Sequence, residues 1–248
     1  APKDATALLT YLNREQYGDT PLLHGQYYNA MVVDQEESSS KYIKDKESGK
    51  YIEVKQRGKL VYESDKTTIF PRMWSSDASR NHPTYYKMWA GIDENSDRKP
   101  TFAENLTYFF RYQVNHMYWR YFMWNFAGRQ NDIQSHGILL SGNEPTNVSN
   151  GAKDLLHGNW ITGIDFIDEM RLGPQDNLPV DLANNAGKNK LFCLPLLLGL
   201  AGLIFHIKKS PKDSFVVFLL FFMTGLAIVL YLNQPPAQPR ERDYAYAG

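Results

Sequence analysis

The chain has 248 residues, 27 Lys and Arg against 27 Asp and Glu, 14% aromatic residues and one cysteine. This length suits one or two domains with a buried core. A net charge of zero argues against a general nucleic-acid-binding protein, and a single cysteine excludes a disulfide framework and a cysteine-only metal site.

The first predicted elements are a helix and a small sheet. Residues 4–17 predict a helix, because Asp4 can cap its start and Gly18 can end it. Between Lys41 and Glu63, apolar and polar residues alternate in three short runs separated by glycine-containing turns. This pattern predicts a small β-meander, and its lysines and glutamates are typical of a solvated surface without chemistry.

Residues 104–126 predict an unusually aromatic helix. Ten of these 23 residues are aromatic, and Arg111, His116 and Arg120 lie among them. Tyrosine and tryptophan suit the headgroup level of a bilayer, where arginine can reach phosphates. We therefore expect a helix lying along a membrane interface under a water-facing domain. The alternative is an ordinary aromatic helix in a protein core.

A polar cluster follows this helix, and it has two interpretations. The side chains can line a binding groove, or they can simply end the helix. No histidine spacing suggests a metal site, so we predict none. The cluster consists of Asn125, Arg129, Gln130, Asn131 and Asp132.

Two apolar runs in residues 191–232 predict a transmembrane helical hairpin. Leu191–Ile207 and Phe215–Leu232 hold 17 and 18 residues without a formal charge. Each makes a helix of about 26 Å, at the short end of what crosses a hydrocarbon core of ~30 Å. The mean hydropathy of −0.47 conceals them. The alternative is a buried helical hairpin in a soluble protein.

The charges around the hairpin predict its orientation. Lys208, Lys209 and Lys212 crowd the turn between the two runs. By the positive-inside rule this turn faces the cytoplasm. Residues 1–190 and 233–248 then lie on the exterior side, which is the periplasm in a bacterium. We expect a mainly α membrane protein with an exterior α-rich loop domain, a small β-meander and a transmembrane hairpin.

The tail after the hairpin, residues 233–248, carries a compact charged motif. Its prolines hold the sequence Arg240-Glu241-Arg242-Asp243 in an extended segment just outside the membrane. Two guanidiniums can clamp a phosphate, and a neighbouring carboxylate can orient them or accept a proton. The alternative is a pair of interfacial salt bridges.

Several motifs resemble one family of bacterial multi-pass inner-membrane proteins, which is related to protein O-mannosyltransferases of the GT-C membrane fold. The resemblance spans residues 13–248 outside the β-meander. Family members have a multi-span N-terminal half and a further span after this point. The sequence opens without Met and stops in mid-motif, so we expect a fragment that lacks this half. The motifs are YLNQPPAQPRERDYAYAG, GNWITGIDFIDE, YFFRYQVNHMYWRYFMWNFAGRQNDIQ and REQYGDTPLLHGQYYNA.

The resemblance implies transfer of a sugar, mannose by expectation, from a polyprenyl-phosphate donor to a Ser or Thr hydroxyl of an exported protein. Membrane lipid, the lipid-linked donor and the acceptor protein are then the partners, without nucleic acid or a cofactor. A GT-C enzyme carries its usual catalytic Asp in the first exterior loop, so the fragment alone should be inactive. The competing hypothesis is a non-catalytic membrane scaffold or assembly protein of envelope biogenesis.

Within this hypothesis each candidate residue receives a role. Glu241 and Asp243 are the candidate catalytic or orienting carboxylates. The candidate donor-phosphate ligands are Arg240 and Arg242, with Arg111 and Arg120 as weaker candidates. The polar cluster of residues 125–132 is the candidate acceptor site.

Overall fold

The computed structural model describes residues 20–36, 40–45, 48–55, 58–140 and 151–237. The predicted helix 4–17 and the charged motif Arg240–Asp243 lie outside these ranges. Within them, helices dominate, as expected for a mainly α chain. We call the described part of residues 20–190 the large domain and residues 191–232 the hairpin.

A two-stranded antiparallel ribbon occupies residues 24–69. The pairs are nested: β1 (His24–Gln26) with β6 (Thr67–Ile69), β2 (Val32–Gln35) with β5 (Leu60–Tyr62), and β3 (Ser40–Lys44) with β4 (Tyr51–Lys55). The prediction of strands between residues 41 and 63 is confirmed. The prediction of a meander is wrong. In a meander β5 would pair with β4, whereas here β5 pairs with β2, which lies before residue 41.

One continuous helix, residues 102–126, runs through the large domain, and we call it the central helix. It consists of α2 (Phe102–Tyr108), an 11-residue π-helix (Phe109–Trp119) and α3 (Arg120–Phe126). Helix α1 (His82–Ala90) packs against it. A π-helix of this length is unusual, since most are single-turn bulges, and these often lie at functional sites.

The central helix is packed on two sides. Tyr108, Tyr112 and Met117 join a buried cluster with Tyr27 and Tyr86. On the other side, a second cluster joins the central helix to the end of the hairpin through Phe109, Tyr118 and Val229. Of the ten aromatic side chains, only Phe110 and Trp119 are exposed. Four of the ten rings are buried, as the core alternative expects, and four are partly buried, so the location at a membrane interface stays a prediction.

The chain between the central helix and the hairpin is held by a short sheet. Strand β7 (Gly128–Arg129) pairs with β8 (Asn189–Lys190), and α4 (Asp165–Leu172) and α5 (Val180–Ala183) lie between them. Gly128 has a φ of +145°, and a Cβ there would lie 2.7 Å from the Asn189 carbonyl oxygen. Only glycine permits this close approach without strain.

The hairpin consists of α6 (Leu194–Lys209), α7 (Pro211–Thr224) and α8 (Leu226–Leu232). Together α7 and α8 form a helix of 22 residues, the one helix of the described residues that is long and apolar enough to cross a membrane. Only 11% of its apolar window is buried, and α6 has no buried residue. This exposure argues against the alternative of a hairpin buried in a soluble core.

Gly225 marks the break between α7 and α8. A Cβ at this position would lie 2.6 Å from the Tyr118 hydroxyl oxygen and 2.8 Å from its ring. The missing side chain therefore lets the hairpin touch the π-helix directly.

A capping box at the start of the central helix gives the large domain a measurable acid sensitivity. Glu104 accepts hydrogen bonds from Arg98 (Nη1 to Oε2, 2.9 Å) and from the Thr101 backbone, and the Thr101 hydroxyl accepts from the Glu104 amide. The bond with Arg98 is the main cause that lowers the pKa of Glu104 to about 2. A lowered pKa stabilises the fold above about pH 4.5, and this stability is lost as the pH falls towards 2.

We expect Glu104→Gln to lower the free energy of unfolding at neutral pH by about 1 kcal/mol, as the loss of a helix cap does. Denaturant titrations between pH 2 and pH 7 should show less acid dependence in the variant than in the wild type. The exposed Glu53 of β4 is the control, and Glu53→Gln should change neither quantity. Equal pH dependence of wild type and Glu104→Gln would contradict the prediction.

Candidate functional site

The chain that leaves the hairpin enters the core of the large domain. Asn233 is fully buried, Gln234 is 5% exposed, and Pro235 and Pro236 are also buried. We call this segment, together with the four side chains that hold it, the junction. These four are Arg72, Trp74, Tyr108 and Gln113. The charged motif begins four positions after Pro236 in the sequence.

Asn233 both ends α8 and anchors the segment. Its φ of 42° is in the left-handed region, which asparagine tolerates at a helix C-terminus. Its side-chain Nδ2 donates to the carbonyl oxygens of Pro21 (2.8 Å) and Pro71 (2.7 Å). Its Oδ1 accepts from Gln113 Nε2 at 3.1 Å. The Asn233 side-chain amide thus forms hydrogen bonds with two distant chain segments and with the π-helix.

The backbone carbonyls of the segment are held by large side chains. Trp74 Nε1 donates to the Asn233 carbonyl at 3.0 Å. The Tyr108 hydroxyl (3.1 Å) and Gln113 Nε2 (2.9 Å) donate to the Gln234 carbonyl. Because Asn233 and Gln234 are buried, these bonds replace solvation that their carbonyls lose in the core. The segment can therefore enter the domain without leaving these carbonyls unpaired.

Arg72 places a buried positive charge at the end of the hairpin. Its Nη1 donates to the Leu230 carbonyl at 2.9 Å, in the last turn of α8, and its guanidinium lies 3.7 Å from the centre of the Phe70 ring. No carboxylate of the described residues forms a salt bridge with it. The negative helix end and the ring face instead stabilise the charge. Burial lowers the pKa of Arg72 to about 10, so it stays protonated at neutral pH.

Several polar atoms of the junction are buried without a hydrogen-bond partner. They are both amide atoms of Gln234, Gln113 Oε1 and Arg72 Nε. Buried polar atoms in native proteins are ordinarily paired, often with water or a ligand. The junction therefore has unused donors and acceptors next to a fixed cation.

The described residues contain few other groups with catalytic geometry. Ser75 Oγ lies 2.8 Å from His82 Nδ1, but both side chains are buried. Burial lowers the pKa of His82, and it lowers that of His116 well below its usual range, so both rings are neutral at pH 7. The described residues hold no group of three His, Cys, Asp or Glu side chains arranged for a metal ion.

The two arginines predicted on the aromatic helix have different environments. Arg111 is exposed on the outer side of the π-helix. Arg120 is buried, donates to the His116 and Gly158 carbonyls at 2.8 and 3.2 Å, and lies 4.5 Å from the Trp124 ring centre. The structure therefore places Arg111 where a ligand can reach it and Arg120 inside the fold.

The polar cluster after the central helix likewise contains both buried and exposed side chains. Gln130 and Asn131 are fully buried and donate to the carbonyls of Leu155 (3.0 Å) and Leu156 (2.7 Å). Arg129, partly buried, donates through Nε to the Gly187 carbonyl at 2.9 Å. Asn125 and Asp132 are exposed. The structure ties three of the five into loop contacts and leaves two at the surface.

The junction residues carry weak sequence signals. No local sequence pattern reveals the role of Arg72 and Gln113, because their hydrogen-bond partners at the end of the hairpin lie more than 100 positions away. Asn233 has one signal: it is a helix-ending asparagine between an apolar run and two prolines. That pattern indicates a helix end but not the burial of the residue.

Comparisons with known proteins give one partial match. The family model described as "Family of unknown function (DUF8416)" matches residues 18–110. This range holds the ribbon, α1 and the start of the central helix. No curated protein and no solved structure matches the chain.

We expect Asn233→Ala to destabilise the protein by about 2–6 kcal/mol, because the Pro21 and Pro71 carbonyls lose buried partners at about 1–3 kcal/mol each. Chemical unfolding in detergent micelles measures this loss. Tyr231, two positions earlier, is 60% exposed and is the control. Tyr231→Ala should cost much less, and equal losses for the two variants would contradict the anchoring role of Asn233.

Proposed function

We propose that this chain is part of a GT-C-type membrane glycosyltransferase. It transfers a sugar, mannose in the leading hypothesis, from a polyprenyl-phosphate donor to Ser or Thr residues of exported proteins. The protein is a multi-pass protein of the bacterial inner membrane, with the large domain facing the periplasm. The resemblance of the tail and of three further motifs to proteins related to O-mannosyltransferases supports this reaction.

The exposed apolar surface of the hairpin supports the membrane location. Leucine, isoleucine, valine and phenylalanine side chains cover α6 and α7 on all sides, and most of them are exposed. A contiguous apolar surface of this extent is unfavourable in water and typical of a lipid-facing segment. The lysines of the turn, at the far end from the junction, agree with a cytoplasmic turn and a periplasmic domain.

The observation that carries the proposal is the anchoring of the tail at the junction. Arg240 follows the buried Pro236 by four positions. Each residue spans at most about 3.6 Å, so the four positions from Pro236 to Arg240 can span at most roughly 14 Å. Because the junction begins where α8 ends, a donor phosphate at the membrane surface is proposed to lie within this reach. Arg240 and Arg242 are therefore proposed as donor-phosphate ligands, with Arg111 as an exposed additional cation.

The proposed chemistry is a substitution at the anomeric carbon. The acceptor hydroxyl oxygen forms the new bond to this carbon as the bond to the phosphate oxygen breaks. A carboxylate takes the hydroxyl proton, which is the role proposed for Glu241 or Asp243 unless another part of the natural protein supplies it. The arginines stabilise the charge that develops on the leaving phosphate. Asn125 and Asp132, the exposed members of the polar cluster, are proposed to contact the acceptor.

A non-catalytic scaffold remains the second candidate, because of the ribbon. A two-stranded ribbon is marginally stable by itself and leaves both edges unpaired. Met31, Val33, Tyr51 and Ile52 are exposed along it. Such a surface suits a protein partner in envelope assembly.

The proposal predicts that removing either arginine of the tail stops sugar transfer. The complete natural protein, reconstituted in lipid, is given radiolabelled polyprenyl-phosphate mannose and an acceptor protein. Arg240→Ala and Arg242→Ala should each lower the turnover number about 100-fold or more, as loss of a group that stabilises transition-state charge does. The exposed Arg80 is the matched control, and Arg80→Ala should transfer at the wild-type rate.

Two results would overturn parts of the proposal. Wild-type transfer rates in both tail variants would exclude the phosphate-binding role of the arginines. No transfer by the wild type over a range of lipid-linked donors would favour the scaffold. In that case, deletion of the ribbon should abolish assembly with a protein partner.

A further inference from the structure

Helix α4 (Asp165–Leu172) exposes an apolar face. Phe166 and Met170 are 73% and 72% exposed, and Ile164 and Ile167 are also exposed. Phe166 and Met170 are four positions apart and therefore lie on one side of the helix. A helix on a water-facing surface normally directs such residues inward and its charges outward. In α4, by contrast, Phe166 and Met170 face outward while the charged Asp168 faces inward.

Asp168 fixes this reversed orientation. Its side chain is buried and accepts hydrogen bonds from the Thr162 amide (2.7 Å), the Thr162 hydroxyl (3.0 Å) and the Gly163 amide (2.7 Å). Leu172 is buried one turn later, and the Arg171 guanidinium lies 3.6 Å from the Trp160 ring centre. These contacts set the rotation of α4 about its axis, so the apolar side chains cannot turn inward without breaking them.

The apolar face continues into the start of the hairpin. A Cβ at Gly163, just before α4, would lie 2.8 Å from Lys190 Cβ and 3.2 Å from the Phe192 ring. Lys190 Nζ also lies 3.6 Å from Asp165 Oδ1. Phe192 and Leu194 are exposed, and Leu194 begins α6. The exposed apolar side chains of α4 and of the hairpin therefore belong to neighbouring segments.

We infer that α4 lies in the membrane interface beside the hairpin, with Phe166 and Met170 inserted among the lipid headgroups and upper acyl chains. The occupant of this surface is the bilayer, because the face adjoins the point where the apolar hairpin begins. Interfacial helices bury their apolar face about 5–10 Å deep and keep their charges at the water side. Asp165 and Glu169, exposed on α4, can stay in water in this arrangement. The inference rests on the proposed membrane location of the hairpin.

The location of α4 also differs from the interface predicted for residues 104–126. The central helix buries four of its ten aromatic rings in contacts with the large domain and the end of the hairpin. Helix α4 supplies what an interfacial element needs: exposed apolar side chains next to the first residues of a lipid-facing helix. The GIDFIDE sequence carries this face.

Depth-dependent quenching by brominated lipids tests this inference. The complete natural protein, with Cys193 and any other native cysteine replaced by serine, receives a single cysteine by Phe166→Cys or Met170→Cys. A fluorescent label is attached, and the protein is reconstituted in vesicles whose lipids carry bromine near the headgroup or near the chain end. Phe218→Cys on α7 is the hairpin reference, and Asn95→Cys on the exposed surface of the large domain is the aqueous reference.

We expect the labels at positions 166 and 170 to lose fluorescence mainly to bromine near the headgroup. The label at 218 should lose it mainly to bromine near the chain end, and the label at 95 to neither. Tryptic digestion patterns like that of the wild type confirm that the labelled proteins are folded.

Three outcomes would overturn the inference. If the labels at 166 and 170 behave like the label at 95 while 218 is quenched, α4 faces water, and the proposed membrane location of the hairpin still stands. If labels 166 and 170 are shielded from aqueous iodide but not quenched by bromine, a protein covers α4. If 218 itself is not quenched, the membrane location fails and the inference fails with it.

Discussion

The insertion of Asn233 and Gln234 into the large domain is the constraint on which the rest of the structure depends. A polar segment that leaves an apolar helix would ordinarily enter solvent. Here the surrounding side chains take over the role of water, and seven hydrogen bonds join Leu230, Asn233 and Gln234 to three parts of the domain: Pro21, residues 71–74 and the central helix. Since unpaired buried amides are costly, the segment cannot move without most of these bonds breaking together.

The hairpin is fastened at its other end as well. Strand β8 leads into α6 and pairs with β7, and the Leu191 amide donates to the Ala127 carbonyl at 2.9 Å. Both β7 and the junction adjoin the central helix. The central helix therefore lies next to both ends of the hairpin. The missing side chain of Gly225 lets the second helix of the hairpin contact Tyr118. A large domain and an apolar hairpin joined in this way form one unit, and the described start of the tail has a fixed position relative to the hairpin.

The sequence predicts the apolar helices and the aromatic helix, because both depend on local patterns. The apolar runs indicate a helix through composition alone. The burial of the aromatic helix is harder to predict, because tyrosine and tryptophan suit an interface and a core equally well. Alternation between residues 41 and 63 identifies strands, but it cannot name their partners, and β5 pairs with a strand outside that region. In the sequence, Gln130 and Asn131 fit a binding groove or a helix end equally well, whereas their partners, Leu155 and Leu156, become visible only in the fold.

The predicted phosphate site has the same division. Its charged residues follow from the motif and lie outside the described residues, whereas the side chains that hold the described start of the tail do not follow from it. Arg72, Gln113 and Asn233 are single polar residues. Their structural role depends on hydrogen-bond partners far along the chain. Helix α4 is similar, since a short sequence with Ile164, Phe166 and Met170 is compatible with either a buried or an exposed apolar face. Only the hydrogen bonds of Asp168 decide which one occurs.

The bond from Asn233 to the Pro21 carbonyl spans 212 positions of the chain. Contacts this far apart in sequence form late, because the intervening chain must be ordered first. During synthesis the large domain emerges well before Asn233 and cannot close its core around a segment that does not yet exist. The core of the large domain is therefore complete only once the end of the hairpin is present, because Asn233 supplies the buried partners of the Pro21 and Pro71 carbonyls.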